Sequence, residues 1–277
     1  MNVLTIAELT IRESQRRRIL WLAVVMGLLF LMVYGLGIHY IFREIEAAGV
    51  TGEVSEVGQI FLTMAGLYVT NFLMVIMAVL VSVASISGEI DMRIIDTVVT
   101  KPVNRWELIL GKWVGFAVLI VGYMIFLAGG VIGGMYWRTG FRFEQPLEGL
   151  LLMCLSAILM MTVTLAGGTR LSTLANGVLA FMLYGVAFIG GWVETIGGMF
   201  KNEMAVNLGI VSSLILPVDA LWKKGMVYFE PRVMGNFYYA GPFVVTAEPS
   251  DLMVWYAVFY VVVVLGWAMW SLGRRDL

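Results

Sequence analysis

Six long, nearly uncharged apolar runs constrain this chain more than any other feature. They fall at about residues 19–40, 59–84, 113–137, 150–168, 173–193 and 252–272. A helix takes ~20 residues to cross a hydrocarbon core of ~30 Å, so each run is long enough to span a bilayer. Only 13% of the residues are charged and 60% are hydrophobic, whereas a soluble domain carries about 25% charged residues. The runs are also continuous, which excludes a membrane β-barrel, where hydrophobicity alternates over about ten residues. The expected fold is an all-α polytopic membrane protein, a single transmembrane domain over residues 1–277 with six transmembrane helices.

The remaining segments fill in this outline. Leu4, Ala7 and Ile11 are spaced for one helical face, with Glu8, Arg12, Gln15 and Arg16 turned away, so residues 2–18 read as an amphipathic helix. It either lies along the headgroups or serves as a basic flank that fixes orientation. Arg16, Arg17 and Arg18 before the first run resemble the start of a signal peptide. The run outlasts the ~7–15 residues of such a leader and closes on no small-residue cleavage site, so it is expected to stay as a span. Between 194 and 249 short apolar pieces are broken by Pro217, Pro231 and Pro242 and carry many aromatics, a pattern of outer re-entrant or interfacial helices.

Charge bias orients the chain. Residues 1–18, 85–112, 169–173 and 273–277 hold 11 of the 18 Lys and Arg residues. Short segments richer in Lys and Arg stay in the cytoplasm, so both termini are expected there, in a multi-pass protein of the plasma (inner) membrane. The longest charged stretch, 87–112, lies between two spans on that side. Ser87 suits a helix N-cap with Glu89 in the first turn, and Ile90, Ile94, Ile95 and Val98 share one side. Glu89, Asp91, Arg93 and Asp96 project elsewhere, with Glu89 and Arg93 paired at i,i+4. Pro102 breaks the element, and Asn104 with Glu107 resembles a capping box that starts the next helix. The stretch reads as a rigid elbow with Lys101 and Arg105 at its turn, or as a plain solvated loop.

The polar residues elsewhere are few. Asn71 is the most polar residue deep in the second run, and it either hydrogen-bonds across helices or lines a substrate path. His39 reads as an interfacial residue at a span end, and the lone Cys154 as a small packing residue. One His and one Cys make no Cys/His metal site. Gly111/Gly115, Gly129/Gly133 and Gly130/Gly134 have the small-xxx-small spacing of close helix contacts. No phosphate loop occurs: Gly111–Lys112 is followed by Trp113, with no glycine five residues before. H-E-x-x-H, G-x-S-x-G and paired intramembrane carboxylates are missing too, so the chain is not expected to be an enzyme, nor the bundle to hold buried charge. Such a bundle suits lipid-like or amphipathic cargo, and peptides or drugs equally.

The run SGEIDMRIIDTVVTKPVNRWELILGKWVG (87–115) resembles the signature of ABC-2 type transporter permeases. It shares a Gly-Glu-led helix, a Lys/Arg-Pro-x-x-Arg turn and a Leu-Gly-Lys start to the third span. AELTIRESQRRR, LILPVDALW and GRRDL fit the same family in order along the chain. The resemblance implies a coupling helix carrying Glu89, Asp91, Arg93 and Asp96, with Lys101, Pro102 and Arg105 in its turn. It implies an exporter subunit that pairs with a second permease copy, a homodimer rather than a heterodimer. Two copies of a cytoplasmic ATPase would bind the ATP and Mg; this chain would bind no cofactor and no nucleic acid. A second reading, a membrane scaffold or sensor that recruits a cytosolic partner without transport, stays open from the residues alone.

Overall fold

A computed structural model describes residues 2–49, 53–88 (53–56 as backbone), 104–143, 145–229, 245 and 248–274. The described residues form helices and no strand: α1 (Val3–Arg16), α2 (Arg18–Ala47), α3 (Glu53–Val83), α4 (Arg105–Thr139), α5 (Pro146–Gly167), α6 (Thr173–Met199), α7 (Glu203–Ile215), α8 (Val218–Val227) and α9 (Asp251–Gly273). Six of them, α2, α3, α4, α5, α6 and α9, are long and apolar enough to cross a membrane. Length is set by sequence here. Within hydrocarbon only a helix can satisfy every backbone N–H and C=O inside one segment, and these runs contain no interior proline to break it.

The core forms where α3, α4 and α5 meet, with Met64 and Leu67 of α3 against Phe116 and Leu127 of α4 and Met153 and Met161 of α5. The helices α2, α6 and α9 surround it and turn large apolar side chains outward, Trp21 and Leu29 of α2 among them. Lipid tails are as apolar as leucine, so such faces carry no penalty there. Hydroxyl side chains within the core return their hydrogens to their own helix: Ser82 Oγ to Ala78 O at 2.6 Å, Thr164 Oγ1 to Met160 O at 2.8 Å. Each span therefore arrives with few unmet polar groups.

The amphipathic segment is a helix, with its buried face rotated from the expected one. Ile6, Ala7, Thr10 and Ser14 are buried, whereas Leu4 is exposed. The cause is Gly111 and Gly115 on α4, across which α1 packs: a Cβ on Gly111 would sit 2.5 Å from Ile6 Cβ, and one on Gly115 would sit 2.9 Å from Ala7 O. Small residues at both positions admit the backbone of α1, and small polar residues on α1 match them. The other small-residue pairs differ. Gly130 meets Leu31, but a Cβ on Gly129, Gly133 or Gly134 would meet nothing within 4 Å. His39 is exposed and Cys154 buried.

Between the fifth and sixth spans α7 runs back along α6. A Cβ on Gly197 would meet Ala205 and one on Gly190 would meet Ser212, so the two helices descend together. At Pro217 the chain bends by 109° into α8. Pro217 cannot donate a backbone hydrogen bond and disfavours helix at Leu216, which adopts an extended conformation. The far end of α8 reaches the start of α5, where Phe229 and Gly225 close on Gly149. The pair thus enters and leaves the bundle at the same end. Gly149→Ala places a Cβ 2.3 Å from Phe229 Cε2 and 2.8 Å from Gly225 O, an overpacking that costs about 1–3 kcal/mol. Gly122→Ala, facing open space, is expected to be neutral or stabilising by ~0.5–1 kcal/mol. Thermal unfolding of the two purified variants in detergent separates these outcomes.

Candidate functional site

Two places on this frame carry chemistry beyond packing. The first is the end of the bundle from which the charged stretch emerges. Of its residues, Glu89, Asp91, Arg93, Asp96, Lys101 and Pro102 lie outside the described residues. The flanks are described, and both are tied down. On one side Ser87 Oγ donates to Val83 O at 2.9 Å and meets Thr173 Oγ1 of α6 at 2.8 Å. On the other α4 begins at Arg105, as the sequence predicts, with Asn104 O accepting from the backbone N–H of Glu107 at 3.0 Å. The capping box itself is absent. Asn104 Nδ2 donates instead to Glu107 Oε1 at 3.1 Å.

Cross-links then join the flanks to each other and to the last span. Lys112 is buried in α4, and its Nζ donates to Ser85 O at 2.8 Å, just beyond the end of α3. Asn176 Nδ2 of α6 bridges Thr164 O at 2.9 Å and Val83 O at 3.3 Å. Arg105 Nη1 donates to Leu272 O at 3.1 Å, and Arg170 Nε donates to Ser271 Oγ at 2.7 Å, both on the last turns of α9. The last carbonyls of a helix have no partner within it and carry its negative dipole end. Lys112, Asn176 and Arg105 thus bond to carbonyls at the C-terminal ends of α3, α5 and α9, tying these ends together as a seat around the emerging stretch. Arg105, placed in the coupling turn by its sequence position, is anchored to the last span of its own chain.

The second place lies at mid-depth. Tyr68, Asn71 and Phe72 of α3 sit at least about 11 residues, ~17 Å, from either end of the apolar stretch Val57–Val83. With Tyr184 and Phe188 of α6 and Val218, Asp219 and Trp222 of α8 they line a cavity of about 290 Å³, including its open mouth. The rings form a connected wall. Tyr68 meets Trp222 edge-on at 5.3 Å, and Phe188 lies 6.1 Å from Tyr184 and 6.4 Å from Phe72. Trp192 Nε1 donates to the Tyr68 hydroxyl at 3.0 Å. Asn71 Oδ1 accepts from Ser156 Oγ of α5 at 3.0 Å. It therefore bonds across helices while also bordering the cavity.

Behind that wall sits a charge cluster, against the expectation of a bundle without buried charge. Lys223 Nζ donates to Glu194 Oε2 at 2.8 Å and to Gly191 O at 3.0 Å, and lies 3.2 Å from Asp219 Oδ2. The three side chains are only 9–14% exposed. Bare Gly191 makes room, since a Cβ there would fall 1.9 Å from Asp219 Oδ2. Next along α8, Lys224 pairs with Glu248 and, at 2.9 Å, with Asp251 at the start of α9. Sequence reading misses the cluster because Glu194 falls just past its fifth run. The one available signal was Asp219 and Lys223, opposite charges at i,i+4 in the short apolar stretch after Pro217.

The family model described as ABC-2 family transporter protein matches residues 4–277. The chain belongs to the ABC-2 transporter family. A comparison with curated proteins found no match. It is thus a multi-pass membrane component of an ABC-2 transporter, in a family generally not catalytic itself and working with an ATPase partner.

Lys112→Met keeps the stem but leaves Ser85 O without its buried donor. It is expected to cost about 1–3 kcal/mol, read as a lower melting temperature of the purified chain. Gly191→Ala, by driving a methyl into Asp219, is expected to cost at least as much and to depress the yield of monodisperse protein on size exclusion.

Proposed function

We propose that this chain is the transmembrane subunit of an ATP-driven exporter, working as a homodimer that docks two cytoplasmic ATPase subunits. ATP and Mg are handled by those ATPases, and this chain converts their closure into movement of its spans. Both termini face the cytoplasm of the inner membrane, as the Lys and Arg bias of the short segments supports.

The observation that carries this reading is the seat. Force applied to a flexible loop would be lost in the loop, whereas both flanks of the 89–103 stretch are hydrogen-bonded into helices that run the length of the bundle. A push there is delivered to α3, α4 and α6 together, and through Arg105 to α9. Two of those helices, α3 and α6, line the mid-depth cavity with Asn71. Charged residues suit the docking face because they set partner choice and orientation. Glu89, Asp91, Arg93, Asp96 and Lys101 supply them in this segment, where the sequence expects Pro102 to break the helix.

Co-expression with its ATPase is expected to yield a complex with vanadate-sensitive ATP hydrolysis. Glu89→Lys or Arg93→Glu should weaken docking about 10-fold or more while the permease still folds. Two results would overturn the reading: full activity after both reversals, or labelling of a Lys101→Cys variant from the outer face. Stable partner binding with no ATP-dependent change would favour the scaffold reading.

A further inference from the structure

We propose that the mid-depth cavity is a binding site for one resident water molecule, which bridges Asn71 of α3, Tyr184 of α6 and Asp219 of α8. Size comes first. Most of the 290 Å³ is the open mouth, and the enclosed part has room for about one water. The second point is which polar groups can still bond. Asn71 Oδ1 is taken by Ser156, so its Nδ2 is left as a donor. Asp219 Oδ2 is sealed and lies 3.2 Å from Lys223 Nζ, so Oδ1 is the acceptor that the carboxylate can offer to the cavity it lines. The Tyr184 hydroxyl can donate or accept, and it lies close enough to Asp219 to interact with it electrostatically.

These groups select water. It donates and accepts at once, so one molecule can receive the N–H of Asn71 and donate to Asp219. Buried waters make about three hydrogen bonds to groups that would otherwise stay unmet, whereas a cavity stays dry only when its lining is apolar. A metal ion would need a shell of oxygen ligands and would meet the N–H of Asn71. An anion would meet the Asp219 carboxylate, and anything much larger than water would not fit the enclosed space. A bridging water is nearly as favourable in enthalpy as a direct hydrogen bond, and it can follow either partner when the helices shift slightly. The site rests on the fold and not on the transporter reading. Within that reading, the water joins α3 and α6, which the coupling stretch pushes, to the re-entrant α8.

The full chain in nanodiscs is given a short X-ray pulse, which splits water into hydroxyl radicals where it sits, and oxidation is read residue by residue by mass spectrometry. Tyr184 is expected to oxidise several-fold faster than Tyr123, which is also buried but lies away from the cavity with its hydroxyl donating to Ala23 O. Asn71→Leu, close in size but without the amide, should bring the Tyr184 rate down to that of Tyr123. Ser156→Ala removes the hydrogen bond on the far side of Asn71 and keeps the amide, so it should leave the Tyr184 rate high. Tyr184→Phe, read at Trp222, covers the case in which Asn71→Leu does not fold: loss of that hydroxyl should slow Trp222 oxidation several-fold. Equal rates for Tyr184 and Tyr123 overturn the proposal. So does an unchanged rate in Asn71→Leu or, at Trp222, in Tyr184→Phe, because bulk water entering by the mouth would then supply the radicals. An equal loss in Ser156→Ala overturns it as well, since loosened packing would then be the cause. ATP hydrolysis is not read in this experiment, so its failure leaves the transporter reading untouched.

Discussion

Side chains from neighbouring spans hydrogen-bond to carbonyls at the ends of three spans. Lys112 serves the carbonyl just past α3, Asn176 serves α3 and α5 together, and Arg105 serves α9. Apolar contact alone would let these helices slide, because lipid competes for the same faces on equal terms. A hydrogen bond to a fixed carbonyl specifies depth and rotation, and near the polar boundary its loss leaves a buried group unpaired. The arrangement of the whole bundle at this end follows from those few bonds.

The same bonds give the molecule a mechanical character. The stretch 89–103 leaves from a helix tied to α6 and returns into a helix tied to α3. Helices of this length transmit displacement because their own backbone bonds keep them stiff along the axis. At the far end α7 and α8 are inserted between α6 and α5, with glycines at the contacts where backbone or carboxylate approaches most closely. Movement of α3 against α6 therefore alters the walls of the cavity, since Tyr68 and Phe72 belong to one and Tyr184 and Phe188 to the other.

Much of this was legible in the residues, for physical reasons that differ by region. Spans are legible because hydrocarbon demands ~20 apolar residues in a row, a constraint that needs no knowledge of neighbours. The start of α4 at Arg105 is legible because Asn104 and the preceding proline act locally. The face that α1 buries was not, since Leu4 and Ile11 are the more apolar choice by periodicity, and only the bare surface of Gly111 and Gly115 favours Ile6, Ala7 and Thr10. Likewise the Gly129/Gly133 spacing looks the same as Gly111/Gly115 in sequence, yet one pair admits a helix and the other faces outward.

The sequence by itself determined the class of fold, the number of membrane-crossing helices, the proline break at 217 and the family signature at 87–115. Each of these depends on residues adjacent in the chain or one helical turn apart. Only the tertiary structure decided that Glu194, Asp219 and Lys223 share one buried site beside Asn71 and a wall of rings. Glu194 belongs to α6, Asp219 and Lys223 to α8, and Asn71 to α3. Their meeting depends on how far α7 and α8 reach into the bundle, which is set by glycine contacts between residues 8 to 80 apart in sequence, as at Gly197 with Ala205 and Gly149 with Phe229. Charge that looks solvent-bound in a linear reading becomes buried and ion-paired when the fold carries it inward.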